Sequence, residues 1–469
     1  MSFHKSAMPS RPWRHLARAC SSGSLLTLLA VCSLQADSQI KVIKLAVTNP
    51  GSAARHSENV AIPVGVLQAV AKDFAAGNVI VTTSDAATPE QDARTLQAVE
   101  LPSQADDLDG DGKLDELAFQ IDLGPHQTRI VTLAYGPAPT IQRLRSLYPK
   151  RTDARFAVHY EGPGWESEET AWRIYFDKRN AIDLFGKRRP GLYLELFAQP
   201  EYVYHQESPF GRDIYGIGKA LGVAGIGAMV DGKVTPVAEV TDRKWRVISA
   251  GPVRAVLELE YTGWKIGAHT EDLVSRITQW AGEHGFEHRV TVKGGDGVTF
   301  VTGIPNKPGT ENLDAAVASA GVVAAWGHQV AAPGNKAQPF DLPDENLGVA
   351  VIVPREEAGS ASSDAANRLL ALRLRNGVAH LYGAAIWDQE NTERSAVNAS
   401  TPDERNNSGT VSLPAARPTR DSFVEYLKAI GNRIDTPVRV EILSQAAASE
   451  NPPVDTPGGN VLHGLPKHR

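Results

Sequence analysis

Along most of this chain, apolar and polar residues alternate with a period of two. Leu117, Phe119, Ile121 and Leu123 alternate with Glu116, Ala118, Gln120 and Asp122, the pattern of a strand with one buried face. Val253, Ala255, Leu257, Leu259 and Tyr261 make one apolar face nine residues long. Six such runs, at 40–47, 60–67, 78–83, 96–101, 116–123 and 128–135, predict a small β-sandwich domain over residues 37–137. A linker or connecting helix follows at 138–151. Further runs predict a second, larger unit over residues 152–445, among them 155–160, 170–176, 192–197, 225–230, 244–249, 253–264, 273–280, 286–292, 347–353, 369–374 and 380–387. The fold class expected is all-β, a large antiparallel β-sandwich preceded by the small one. Helical patterns are few: 313–323, and 420–430 with Asp421 as its cap. A last strand is expected at 437–443. Residues 395–417 are expected as a surface loop, and 446–469, proline-rich and poor in apolar residues, as a disordered tail.

Composition narrows the function. The chain has 469 residues, 42% of them hydrophobic, and a net charge of −6 with acids and bases mixed along its length. A nucleic-acid binder would show a basic stripe, so none is expected as a partner. Lys5, Arg11, Arg14 and Arg18 precede the apolar run Ser24–Leu34, the pattern of an export signal over residues 1–36. A lipoprotein processed at Cys32 is the alternative, with Val31 where a small residue is usual. Cys20 and Cys32 both lie in this segment, so the mature chain would carry no disulfide, thiol nucleophile or cysteine-bound zinc. No membrane span is expected after the signal, which predicts a periplasmic or extracellular protein.

The chemically densest stretch is 161–187, EGPGWESEETAWRIYFDKRNAIDLFGK, with six acids and four basic residues. Trp172, Ile174 and Phe176 fall on one side of a strand. Arg173, Tyr175 and Asp177 fall on the other, about 7 Å apart, a row suited to gripping a small polar ligand such as a sugar. A second cluster follows, EYVYHQESPFGRDIYGIGK, where His205 sits among tyrosines. Histidine suits proton transfer near neutral pH, although a single histidine is more often structural. If both stretches meet, Arg173, Tyr175, Asp177 and His205 form the candidate catalytic set. Trp165, Glu166, Arg179, Tyr204, Arg212 and Lys219 would then bind substrate. Asp183 and Glu168 are further carboxylates for hydrolytic chemistry. The glycine-rich run 215–230 has Ala220 where a phosphate loop needs Ser or Thr, so it reads as close packing and no nucleotide or organic cofactor is expected. His284 and His288 share a strand face, which does not give helical metal-site spacing.

In DDLDGDGKLDEL, Asp107, Asp109, Asp111 and Asp115 alternate as calcium ligands do, and Gly112 allows the sharp turn. Ala118 stands where an EF-hand has its bidentate Glu, so a shorter calcium turn with a structural role is expected. The alternative is a solvated acidic hairpin turn.

Together with WESEETAWRIYFDKRNAIDLFGK and GPVRAVLELEYTGW, this loop resembles a family of secreted bacterial proteins, domain-of-unknown-function family 4861. The resemblance covers roughly residues 40–445 and implies a setting of pectin and polysaccharide degradation. The sandwich also looks like the galactose-mutarotase-type supersandwich, a fold that hosts lyases, hydrolases and epimerases. The expectation is therefore a carbohydrate-active protein, a lyase or glycoside hydrolase acting on uronate-containing oligosaccharides. A non-catalytic glycan-binding protein and a sugar epimerase or mutarotase are the alternatives.

Overall fold

The computed structural model of the protein describes residues 40–92, 98–317, 321–328, 345–390 and 417–447. The expected export signal, residues 395–416 of the expected 395–417 loop and residues 448–469 of the expected 446–469 tail lie outside the described residues, while Ala446 and Ala447, expected in that tail, end the last strand. Among the described residues the architecture is all-β and antiparallel, as the alternation predicts, and no helix is long and apolar enough to cross a membrane.

Two sheets near the N-terminus form the smaller sandwich. One orders its strands Arg439–Ala447, Lys41–Thr48, Thr128–Tyr135, Val79–Thr83 and Val99–Leu101. The other pairs Arg55–Pro63, Glu116–Leu123 and Ser103–Asp106. Their inward rows, including Ile43, Leu45, Val60, Ile62, Phe119 and Val131, close into one core. The C-terminal strand belongs to this sandwich, with Val47 opposite Val440 and Leu45 opposite Ile442. Alternation alone had put that strand in the larger unit.

The larger sandwich is built on an eight-stranded sheet, in the order 242–250, 254–266, 269–280, 285–293, 378–387, 347–352, 322–327 and 311–312. Its inner face carries Leu257, Leu259, Ile277, Phe286 and Val290. Against it pack two five-stranded sheets. One runs Gly211–Asp213, Ile182–Lys187, Ala171–Ile174, Gly162–Ser167 and Thr152–Ala157, and the other is centred on Thr299–Pro305. The outer face of the eight-stranded sheet is apolar at one end, where Ala350, Ile352 and Tyr382 meet Phe423, Leu427 and Ile430 of the helix Arg420–Asp435. Elsewhere it is polar.

Several local expectations fail for identifiable reasons. The Ala-rich run 313–323 was expected as a helix, but among its described residues Asp314–Ala316 makes a 3-10 turn and Val322–Gly327 is a strand. That strand is covered on both faces, so its apolar positions do not alternate, and Asp314 turns the chain into it by accepting from Ala324 N at 2.7 Å. Residues 192–197, expected as a strand, contain the helical turn Leu194–Phe197, whose first amides Glu166 binds. Residues 64–67, expected to extend a strand, begin the helix Val64–Val70. Helix 420–435 is capped by Thr419, which accepts from Ser422 N, and not by Asp421. The connector contains the helix Ala138–Leu144. In the glycine-rich run, Gly222 has φ +76°, and a Cβ there would stand 1.8 Å from the Ile182 carbonyl oxygen, so close packing is what it serves.

Candidate functional site

The hairpin Ala171–Ile174 with Ile182–Lys187 positions the expected row. Trp172 lies opposite Leu184, and Arg173 opposite Asp183. Side chains alternate across the sheet, so Trp172 and Ile174 enter the main core while Arg173 and Asp183 share the other face. That face is roofed by residues 188–210, with Phe197 and Tyr204 packing on Phe185. Next to Ile182–Lys187, strand Gly211–Asp213 places Asp213 on the same side.

Arg173 is 1% exposed. It donates to Asp183 Oδ2 at 2.8 Å, to Asp213 Oδ2 at 2.7 Å and to Tyr204 Oη at 3.2 Å. Tyr175 donates to Asp183 Oδ2 at 2.9 Å. A buried guanidinium between two carboxylates is tolerated because every charge has a partner within hydrogen-bond reach. One positive charge between two negative ones leaves an excess. Burial, and then the neighbouring Asp183 carboxylate, push Asp213 up to about 7 despite Arg173.

His205 stands at the edge of this cluster, with 35% of its side chain exposed and Nδ1 3.5 Å from Asp213 Oδ2. Burial and the Arg173 charge lower its pKa below 6.5, so at neutral pH it is the neutral base. Tyr204 packs against it at 4.4 Å between ring centroids. On the same flank Arg179 lies 3.9 Å from the Tyr175 ring centroid and bridges Asp177 and Glu161, all three at the surface. The arrangement is a partly exposed imidazole backed by a fixed carboxyl group, with a guanidinium and two carboxylates nearby. It can accept or return a proton at one point.

The structure thus brings together Arg173, Tyr175, Tyr204 and His205, with Asp177 and Arg179 at the rim. Arg173 and Tyr175 were expected to act on a ligand directly, but they are buried and hold Asp213 and Asp183 in place. Trp165 and Glu166 were expected to meet substrate, and the structure corrects both. Trp165 is 0% exposed and packs edge-on to Phe286, because its strand is covered on both faces. Glu166 is buried and saturated by Lys187 Nζ and the amides of Tyr193 and Leu194. Arg212 points to the other side of its strand and pairs with Glu207 and Glu345. Lys219 is exposed on a separate turn. Asp213, the central carboxyl group, was missed as a site residue. Its only signal in the sequence was its place in the Tyr-rich cluster with His205.

The acidic loop joins Ser103–Asp106 to Glu116–Leu123. Carboxylate oxygens of Asp107, Asp109 and Asp115 lie within 4.8 Å of one another. Asp111, expected as a fourth ligand, pairs instead with Lys113 at 2.6 Å. Arg246 of the eight-stranded sheet donates to Leu108 O at 2.6 Å, so the loop is tied to the larger sandwich.

No curated protein matches the chain. Among solved structures it is similar to a glycosyl hydrolase family 38 protein from Enterococcus faecalis, at 9% identity and TM-score 0.45, over 89% of this chain and 50% of that one. It is also similar to an alpha-mannosidase from Enterococcus faecalis V583, at 10% identity and TM-score 0.40, over 87% and 48%. The chain spans about half the length of each. The family model of DUF4861, a domain of unknown function, matches residues 47–398, the span holding the hairpin, the His205 segment and the acidic loop, and the chain belongs to that family.

Proposed function

We propose that this chain is a carbohydrate-active enzyme that removes a ring proton from a uronate-containing oligosaccharide, with His205 as the base. The observation that supports it is the pairing of an accessible, neutral imidazole with the buried Asp213 carboxyl group, which Arg173 fixes. In the elimination, His205 takes the proton from the carbon next to the uronate carboxylate. The freed electron pair forms the carbon–carbon double bond, the bond from the adjacent carbon to the glycosidic oxygen breaks, and that oxygen takes a proton from solvent water, to which His205 later returns its own. Asp213 orients the imidazole and stabilises its charged form. Arg179, released from Asp177, neutralises the substrate carboxylate. Hydrolysis by two carboxylates is less favoured, because Asp183 and Asp213 are both buried on a single guanidinium and do not bracket a bond.

Pectic glycans are the proposed source of the substrate, and the periplasm or the cell exterior its site of action. We also propose a structural calcium ion at Asp107, Asp109 and Asp115, where hard oxygen ligands converge and a cation would relieve their repulsion. Chelation should lower the melting temperature of the wild type and leave Asp109→Asn unaffected. Equal melting with and without chelator overturns the calcium proposal.

Unsaturated uronate products absorb in the near ultraviolet, so oligogalacturonide digests give a direct test. Activity should fall by about 10²–10⁴ in His205→Gln with KM little changed. In the wild type, kcat/KM should decline only below pH 6.5, because the histidine binds its proton below that value. Asp213→Asn should shift this limb. A product without ultraviolet absorbance indicates hydrolysis. Binding without turnover, or full activity in His205→Gln, overturns the proposal.

A further inference from the structure

The polar part of the eight-stranded sheet's outer face is not bare. The small sandwich and the C-terminal helix border it and leave an open cavity of about 580 Å³. This volume falls within the roughly 300–1,000 Å³ typical of small-molecule sites. The cavity lies across the main core from His205, since that core fills the space between this sheet's inner face and the hairpin sheet.

Two cross-strand rows make the floor. Arg276, Arg289 and His380 stand side by side on three strands, and Thr278, Glu287 and Tyr382 form the next row. Trp280 lies at the end of its strand in the same wall, and Asn59, Glu116 and Arg433 contribute from above. Most of these charges are already satisfied. Arg254 pairs with Asp106 and Glu116, Arg276 with Glu258, and Arg433 with Glu58 and Glu283. His380 is held by Glu357.

Arg289 is different. Among the described residues no carboxylate pairs with it, and its one hydrogen bond goes to Thr291 Oγ1 at 3.1 Å. Glu287, two residues earlier on the same face, has no cation in salt-bridge reach among the described residues. It accepts from Trp280 Nε1 at 2.9 Å. Glu287 is open to the cavity, and the protein around it raises its carboxyl above the ordinary carboxylate range. Its carboxyl oxygens can accept hydrogen bonds from a ligand's hydroxyls.

The Arg289 guanidinium, exposed to this cavity and with no carboxylate partner among the described residues, can take a carboxylate through two parallel hydrogen bonds. A carboxyl group beside it disfavours a dianion such as a phosphate monoester and suits a hydroxyl. Trp280, itself buried against Ala118 and Val253, fixes the Glu287 carboxyl through its Nε1. We propose that this cavity binds a single carboxylate-bearing sugar, with the carboxylate on Arg289 and hydroxyls on Glu287 and Thr278, at a site separate from His205.

The test is calorimetric titration of the full chain with galacturonate, using galactose as the neutral control. Galacturonate should bind and galactose should bind at least about 10-fold more weakly, the span of one charged hydrogen-bond pair. Arg289→Leu should weaken galacturonate by a similar factor, while His205→Gln should leave it unchanged. Equal binding of both sugars, undiminished binding by Arg289→Leu, or no binding by the wild type overturns the proposal. Loss of binding in His205→Gln alone would assign the sugar to the other site. The elimination assay reads the His205 site independently, so the two readings fail separately.

Discussion

At the scale of single residues, Arg173 has the largest consequence. Its guanidinium bridges two buried carboxylates, and removing it leaves them facing each other. Arg173→Ala should cost about 3–5 kcal/mol in urea unfolding. Asp213 can escape part of that cost by taking a proton, so the loss should be smaller at pH 5 than at pH 8. Equal losses at both would show that Asp213 does not hold a proton in the folded protein. The row that carries Arg173 was readable, because strand alternation puts 173 and 175 on one face whatever surrounds them. Burial of that face was not readable, since the roof comes from residues 188–210.

His284 makes a second prediction at this scale. Burial opposes its charge, but Glu390 at 2.9 Å outweighs burial and raises its pKa from 6.5 to about 9. A raised folded pKa means the stabilisation is complete below pH 6.5 and is lost as pH rises through about 9. The span corresponds to at most roughly 3 kcal/mol. Unfolding free energy should fall across that window, and His284→Gln should flatten the slope. The sequence showed His284 and His288 as a pair, yet they diverge. Burial lowers the pKa of His288 to about 4, against the Ala224 carbonyl contact, which raises it.

At the scale of elements, the 171–187 hairpin owes its seat to Gly186. A Cβ there would lie 2.5 Å from Trp387 Cε3 and 2.6 Å from Ile214 Cδ1, both parts of packed side chains. Gly186→Ala should destabilise by about 1–3 kcal/mol through overpacking, read as a lower denaturation midpoint with an unchanged slope. A neutral result would mean Trp387 can shift. Strands with one polar face were the elements best read from sequence, such as Gly285–Lys293. Val322–Gly327 was not, because it is apolar on both sides and a fully buried strand has no alternation to display. The acidic loop was recognisable from its spacing, and three of its four expected ligands converge. The fourth goes to Lys113, a choice that alternation does not encode.

At the scale of the whole molecule, the chain closes on itself. Arg439–Ala447 pairs with Lys41–Thr48, and Val438, Val440 and Ile442 cover the small sandwich's core. Ending the chain at Thr436 should expose that edge and cost on the order of 3 kcal/mol, since these side chains are only partly buried. Faster proteolysis within residues 40–135 would be its signature, and unaltered protease resistance would show that the closing strand is dispensable. The same closure brings helix 420–435 over the polar sheet face and creates the cavity.

What the sequence determined by itself was the all-β antiparallel class, the hairpin face bearing Arg173 and Tyr175, and the acidic turn. Each follows from local spacing, because a strand's two faces are fixed by a two-residue period. Tertiary structure alone decided that Trp165 and Glu166 are buried, that Asp213 stands behind His205, and that Arg289 faces a cavity with no carboxylate partner among the described residues. Those outcomes depend on which distant strands approach, and charge pairing and loss of water are properties of that approach.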